Sequence, residues 1–85
     1  MIFVDVLLPY GGSRKWCHLI SDAGDEELHE FARKIGLKRE WFQNKRIPHY
    51  DITGSKRKIA VGLGATEVNS RQEFIEIVKK IQEKK

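Results

Sequence analysis

The densest run of side chains able to exchange protons or hold an anion is His49-Tyr50-Asp51-Ile52-Thr53-Gly54-Ser55-Lys56-Arg57-Lys58. His49, Tyr50 and Asp51 precede a Thr-Gly-Ser turn, and three consecutive cations follow it. An extended segment that turns there into a helix presents unpaired backbone N–H groups. The helix dipole adds partial positive charge at the same end, so a phosphate or carboxylate suits the place. Ser55, Lys56 and Arg57 are the candidate anion ligands.

Four further residues could share that site. Asp5 interrupts the apolar run Ile2–Leu8, where a carboxylate is costly unless a polar site or a specific cation receives it. His18 and His49 fall near predicted strand ends, where ligands of open α/β sheets collect. His29 lies at the edge of a helical apolar stripe, as a boundary histidine or as a site residue reaching over the sheet. Trp41 and Tyr50 could stack on a base.

Three mechanisms could use this set. A nucleotide-like ligand could be bound without chemistry, its phosphates meeting Ser55, Lys56 and Arg57, with Asp5, His29, Trp41 and Tyr50 completing the site. His18 and His49, with Asp51, could instead act as acid and base on a phosphodiester while Lys56 or Arg57 stabilises the growing charge. A metal held by His and Asp is the least favoured route. The zinc-protease helix is absent after His29-Glu30, and no ligand pair reads as the close i, i+2 or i, i+4 spacing of familiar sites, so no metal and no cofactor is expected.

The elements that must position these residues read as follows. Ile2–Leu8 is a buried first strand, and Pro9–Lys15 a turn by composition, without the spacing of a Walker phosphate loop. Trp16–Ile20 is a second strand. Leu28, Phe31, Ala32 and Ile35 fall at i, i+3, i+4 and i+7, an amphipathic helix with Asp22 and Asp25 as candidate caps and Gly36 as its stop. Lys38–Gln43 reads as a third strand or an irregular extended piece, followed by the basic loop Asn44–Pro48. His49–Ile52 is extended, and Thr53 is the expected cap of a second helix that ends at Gly62 or Gly64. Ala65–Asn69 fits a short strand. Ser70-Arg71-Gln72-Glu73 is a capping box, and Phe74, Ile77, Val78 and Ile81 complete a last helix whose expected job is packing. Lys79, Lys80, Lys84 and Lys85 sit near its negative C-terminal end. The order β-β-α-β-α-β-α predicts an α/β fold, with three helices on a sheet of about four strands.

Eighty-five residues make a single domain over 1–85. A chain this small either stays near its stability limit or gains stability as a homodimer. No apolar run approaches the roughly 18 residues of a membrane span, and no segment reads as a secretory leader, so a cytoplasmic protein with no membrane partner is expected. Cys17, the only cysteine, excludes an intramolecular disulfide and a thiolate cluster, and reads as a small buried hydrophobe. The net charge of +4 is unevenly spread. Residues 33–58 carry nine basic side chains against Glu40 and Asp51, net +7, and the rest of the chain is net −3. Such a field steers anions to one region.

Several of these residues recur together. Val4-Asp5, Cys17-His18-Leu19, Glu27-Leu28-His29, Trp41-Phe42-Gln43, His49-Tyr50-Asp51 and Ser55-Lys56-Arg57 follow one another as in a small bacterial and phage family. By these motifs, from Met1 to about Glu67, the chain resembles the domain-of-unknown-function family numbered 4031. The resemblance implies that Asp5, His18, His29, Trp41, His49, Tyr50, Asp51, Ser55, Lys56 and Arg57 form the family pattern. It implies no defined activity. Members often carry a second acidic residue after the first-strand Asp, and Val6 stands there in this chain, which argues against a two-carboxylate role. A phage setting would suit a protein that sequesters or destroys a nucleotide signal.

The expected function is binding of a phosphate-bearing small molecule, a nucleotide or nucleotide-derived signal. The alternative is a small phosphodiesterase or nuclease using His18, His49 and Asp51. A third reading lays Lys38, Arg39, Lys45, Arg46 and Lys56–Lys58 along nucleic acid, non-specifically and with strong salt dependence.

Overall fold

Alternation along two central strands decides what each face of the sheet carries. A computed structural model describes residues 1–9 and 12–83. Strands β1 (Ile2–Val4), β2 (Trp16–Ser21), β3 (Tyr50–Thr53) and β4 (Thr66–Glu67) form one sheet in the order β3-β2-β1-β4. β2 runs antiparallel to both β1 and β3, and β4 joins β1 in parallel. Helices α1 (Asp25–Lys34), α2 (Gly54–Gly62) and α3 (Arg71–Glu83) complete the α/β fold expected from the sequence.

Successive side chains on a strand point to opposite faces. Val4, Cys17, Leu19, Tyr50 and Ile52 therefore share one face and pack with Leu28, Ala32 and Ile35 of the α1 segment and Ala60 of α2. Phe3 and Ile20 share the other, where Val68, Ile81, Phe74, Ile77 and Val78 close a second cluster. Asp5 and His18 fall on the α3 side by the same alternation.

Three features differ from expectation. The first strand stops at Val4. Asp5 keeps one backbone bond to His18, and a two-way exchange returns at Leu8, which meets Trp16 at 2.8 and 2.9 Å. Lys38–Gln43 is no third strand: a single 3-10 turn over Arg39–Trp41 precedes an isolated pairing of Gln43 with His49. The segment has no alternation to bury, and Trp41 is exposed beneath the Lys38 ammonium. Neither Asp22 nor Asp25 caps α1. Gly24 holds the N-cap position at φ 115°, and Asp25 opens the first turn, where it complements the dipole together with Glu26 and Glu27.

The helix ends follow the sequence signals closely. Gly36 (φ 82°) and Gly64 (φ 107°) each follow a helix in the left-handed region. Leu37 N–H then bonds Ala32 O at 2.9 Å, and Ala65 N–H bonds Ala60 O at 3.0 Å, the six-to-one closure of a Schellman cap. Thr53 is the N-cap of α2, although its hydroxyl meets Ser55 Oγ at 3.2 Å and no backbone N–H. Glu73 N–H bonds Ser70 Oγ at 3.1 Å, as the capping box predicts. Of the expected turn Pro9–Lys15, Tyr10 and Gly11 lie outside the described residues, as do Lys84 and Lys85 after α3. Among the described residues, no helix is long and apolar enough to cross a membrane.

Candidate functional site

Asp5, His18, His49 and Asp51 meet on the α3 side of the sheet. Register brings them there: His18 on β2 lies directly opposite Asp51 on β3. The Asp5 carboxylate, 7% exposed as a residue, accepts the His18 backbone N–H at 2.5 Å through Oδ1 and meets His18 Nδ1 at 2.8 Å through Oδ2. His18 Nε2 stands 3.9 Å from Asp51 Oδ1, and His49 Nε2 stands 3.4 Å from the same oxygen. His49 Nδ1 donates to Ile47 O at 2.7 Å. The two imidazoles contact edge-on with centroids 5.0 Å apart, and His18 stacks on Phe74 of α3 at 5.7 Å.

The electrostatics follow from these bonds. The hydrogen bond to Asp5 raises the His18 pKa above its ordinary value, with burial opposing and the nearby Asp51 charge assisting. Cys17, one residue away on the opposite face, has its thiol pushed up to about 12, chiefly by burial, so it is inert as a nucleophile near neutral pH.

His18 and His49 open into a cleft of about 590 Å³ between the sheet, the Lys45–Ile47 segment and α3. Its walls carry Lys45, Arg46, Arg71 and Lys79 against one acid, Asp5, with Phe74, Ile75 and Val78 supplying an apolar side. A second concavity, about 710 Å³, lies over His29 and Tyr50, lined by Glu26 and Glu30 as well as Arg33 and Arg39. Its charges balance, and Arg33 is already paired with Glu30. Of these two, the first carries the excess of cations that draws an anion.

The other expected site residues sit elsewhere. Tyr50, between His49 and Asp51 in sequence, points to the opposite face, where its hydroxyl meets His29 Nδ1 at 2.7 Å. Phe42 packs edge-on against His29 with centroids 4.4 Å apart. Burial lowers the His29 pKa, assisted by Arg39, and burial raises that of Tyr50. Trp41 does not line the cleft. Ser55 is exposed and bonded to Thr53. Lys56 Nζ donates to Ile35 O at 2.7 Å, closing the C-terminal end of α1. Arg57 Nε donates to Asp5 O at 2.9 Å and Nη1 to Glu67 at 2.8 Å, so it braces β1 and β4 from behind the site.

The cations that face the cleft are thus other than Ser55's neighbours Lys56 and Arg57. Lys45 and Arg46 belong to the basic loop that the third reading lays along nucleic acid, and they now line the cleft. Arg71 and Lys79 lie on α3, which was expected only to pack. Their spacing, two helical turns apart on the face that also carries Ile75, was the available signal.

Comparison with known proteins agrees with the motif pattern. Residues 2–81 match the family described as "Protein of unknown function (DUF4031)". The chain belongs to this family. No curated protein and no solved structure matches it. For this DUF4031 chain, function must be argued from the cleft itself.

Proposed function

We propose that this protein binds a phosphate-bearing small molecule, a nucleotide or nucleotide-derived signal, in the cleft between the sheet and α3. The excess of four cations over one carboxylate in a partly apolar cleft carries this reading. Arg46 and Arg71 offer planar forks for phosphate oxygens, and Lys45 and Lys79 add point charge. Phe74, Ile75 and Val78 provide the apolar wall against which a base or ribose lies. The phosphate ligands are the loop and α3 cations, in place of Ser55, Lys56 and Arg57. The setting is cytoplasmic, and a phage protein of this kind would sequester its ligand.

A second reading, phosphoester hydrolysis, is favoured by the edge-on pair of His18 and His49. One imidazole would remove a proton from the attacking water while the other, protonated, donates to the leaving oxygen. Asp51 lies beside both rings.

Incubation of untagged protein with a nucleotide panel, followed by heating and chromatography, separates the outcomes. Intact ligand recovered from the protein supports binding. A new product that disappears in His49→Ala supports hydrolysis. Arg46→Ala or Arg71→Ala should weaken ligand affinity by roughly 10- to 100-fold, as expected for loss of a charged hydrogen bond. Unchanged affinity in both variants rejects the cleft. Affinity that grows with polymer length and collapses as salt rises would instead favour non-specific nucleic-acid binding.

A further inference from the structure

We infer that His18, His49 and Asp51 form a binding site for a divalent transition-metal ion of the zinc class. One ligand atom from each residue lies within 4.8 Å of the other two. The inference goes beyond the anion cleft and stands without it.

Convergent geometry carries the inference, and the bonds behind each ring aim it. Ile47 O can only accept, so the bond it makes to His49 fixes the proton on Nδ1. Asp5 Oδ2 likewise engages Nδ1 of His18. With Nδ1 engaged in each ring, Nε2 is the nitrogen left to face a metal. Both Nε2 atoms converge on Asp51 Oδ1. Two ring nitrogens and a carboxylate oxygen thus meet at one point, the mixed nitrogen and oxygen donor set that a metal ion of this class takes.

The arrangement also has the outer partners that metal sites use. A ligating histidine nearly always donates its second ring N–H to a carboxylate or a backbone carbonyl, which fixes the tautomer and aims the ring. Asp5 serves His18 in this way, and Ile47 O serves His49. In a tetrahedral zinc site with bonds near 2.0–2.1 Å, ligand atoms lie about 3.3 Å apart. The His49–Asp51 separation of 3.4 Å meets that value, and the His18–Asp51 separation of 3.9 Å needs only a side-chain adjustment. The charges balance too, since Asp51 at the ion and Asp5 behind His18 offset two positive charges.

Two imidazoles and one carboxylate select zinc, cobalt or nickel over magnesium or calcium, which prefer all-oxygen shells. Three protein ligands leave an open position of the kind catalytic zinc sites keep. Contrary to the expectation of no close ligand pair, His49 and Asp51 stand at i and i+2. An extended segment puts such a pair on one face.

The test uses untagged, chelator-stripped protein titrated with zinc by calorimetry, and with cobalt(II) by visible absorption. Expected are one equivalent of zinc per chain, tetrahedral cobalt bands, and no response to magnesium. His49→Ala and Asp51→Asn should each abolish the cobalt bands while retaining the wild-type far-UV circular dichroism. Asp5→Asn should weaken zinc binding by about 10- to 100-fold through the orientation of His18. His29→Ala, on the opposite face, should bind zinc like wild type. Failure of stripped wild-type protein to take up one equivalent overturns the site, as does full cobalt absorption in Asp51→Asn. Loss of nucleotide affinity in Arg71→Ala with zinc uptake unchanged would separate this site from the anion cleft.

Discussion

The Asp5 carboxylate takes the place of its own backbone carbonyl opposite His18. Register sets the two residues across from each other, and Asp5 N–H donates to His18 O at 3.3 Å as a ladder bond should. The return bond from His18 N–H goes instead to Asp5 Oδ1, and the displaced Asp5 carbonyl accepts from Arg57 Nε. One side chain thereby ends β1, orients an imidazole and recruits a cation from α2.

Removing that carboxylate should be costly. Asp5→Ala leaves the His18 backbone and ring donors without an acceptor, for an expected loss of about 2–4 kcal/mol. Asp5→Asn keeps one carbonyl oxygen for the backbone bond and should lose about half as much. Urea unfolding of both variants decides it. Equal losses would mean that the side-chain bond to the His18 amide contributes nothing.

Arg57 is held by two partners on different strands, and its side chain is 16% exposed. Lysine cannot reproduce the two-armed geometry, so Arg57→Lys should lower stability by about 1–3 kcal/mol. Its effect on ligand affinity should be small beside that of Arg71→Ala. A denaturant series together with ligand titration of both variants checks the contrast.

Lys56 tests the helix-start reading most directly. Lys56→Met keeps the aliphatic stem but loses the ammonium at the end of α1, an expected cost of about 0.5–1.5 kcal/mol. Phosphate-ligand affinity should be unchanged. If calorimetry finds affinity lost at unaltered stability, the start of α2 is an anion site after all.

His29 should impose acid sensitivity. Its folded pKa lies below the ordinary 6.5, first because of burial and then because of Arg39. Above that ordinary value both folded and unfolded chains hold it neutral, and it contributes no pH dependence. As pH falls through 6.5 the unfolded chain takes up the proton first, so stability drops until the folded value is passed. Melting curves on either side of that window should show a drop in wild type that His29→Gln lacks.

The fold was legible wherever periodicity met a local stop signal. The α1 stripe ended at Gly36, the Ser70 box opened α3, and the apolar runs gave β1 and β2. The Asp-and-histidine floor was legible too, because Asp5, His18, His49 and Asp51 are conspicuous among apolar neighbours. Two kinds of information were missing. Grouping Tyr50 in one site with His49 and Asp51 ignored alternation, which sends Tyr50 through to the opposite face to meet His29. Reading Ser55-Lys56-Arg57 as a phosphate cradle ignored tertiary demand, since Lys56 satisfies a helix end 21 residues away and Arg57 satisfies Asp5. The role of α3 depended on which sheet face the chain crosses to cover, and the helix pattern carries no such information.

Cys17 and His18 are neighbours with opposite fates, one sealed in the core and one open to the cleft. A slip of one residue in β2 would exchange them, putting a thiol beside Asp51 and an imidazole among Leu28 and Ala32. The pairing of β2 with its two neighbours is thus a chemical selector as well as a scaffold. Any variant that loosened that alignment would change the reagent on offer before it unfolded the protein.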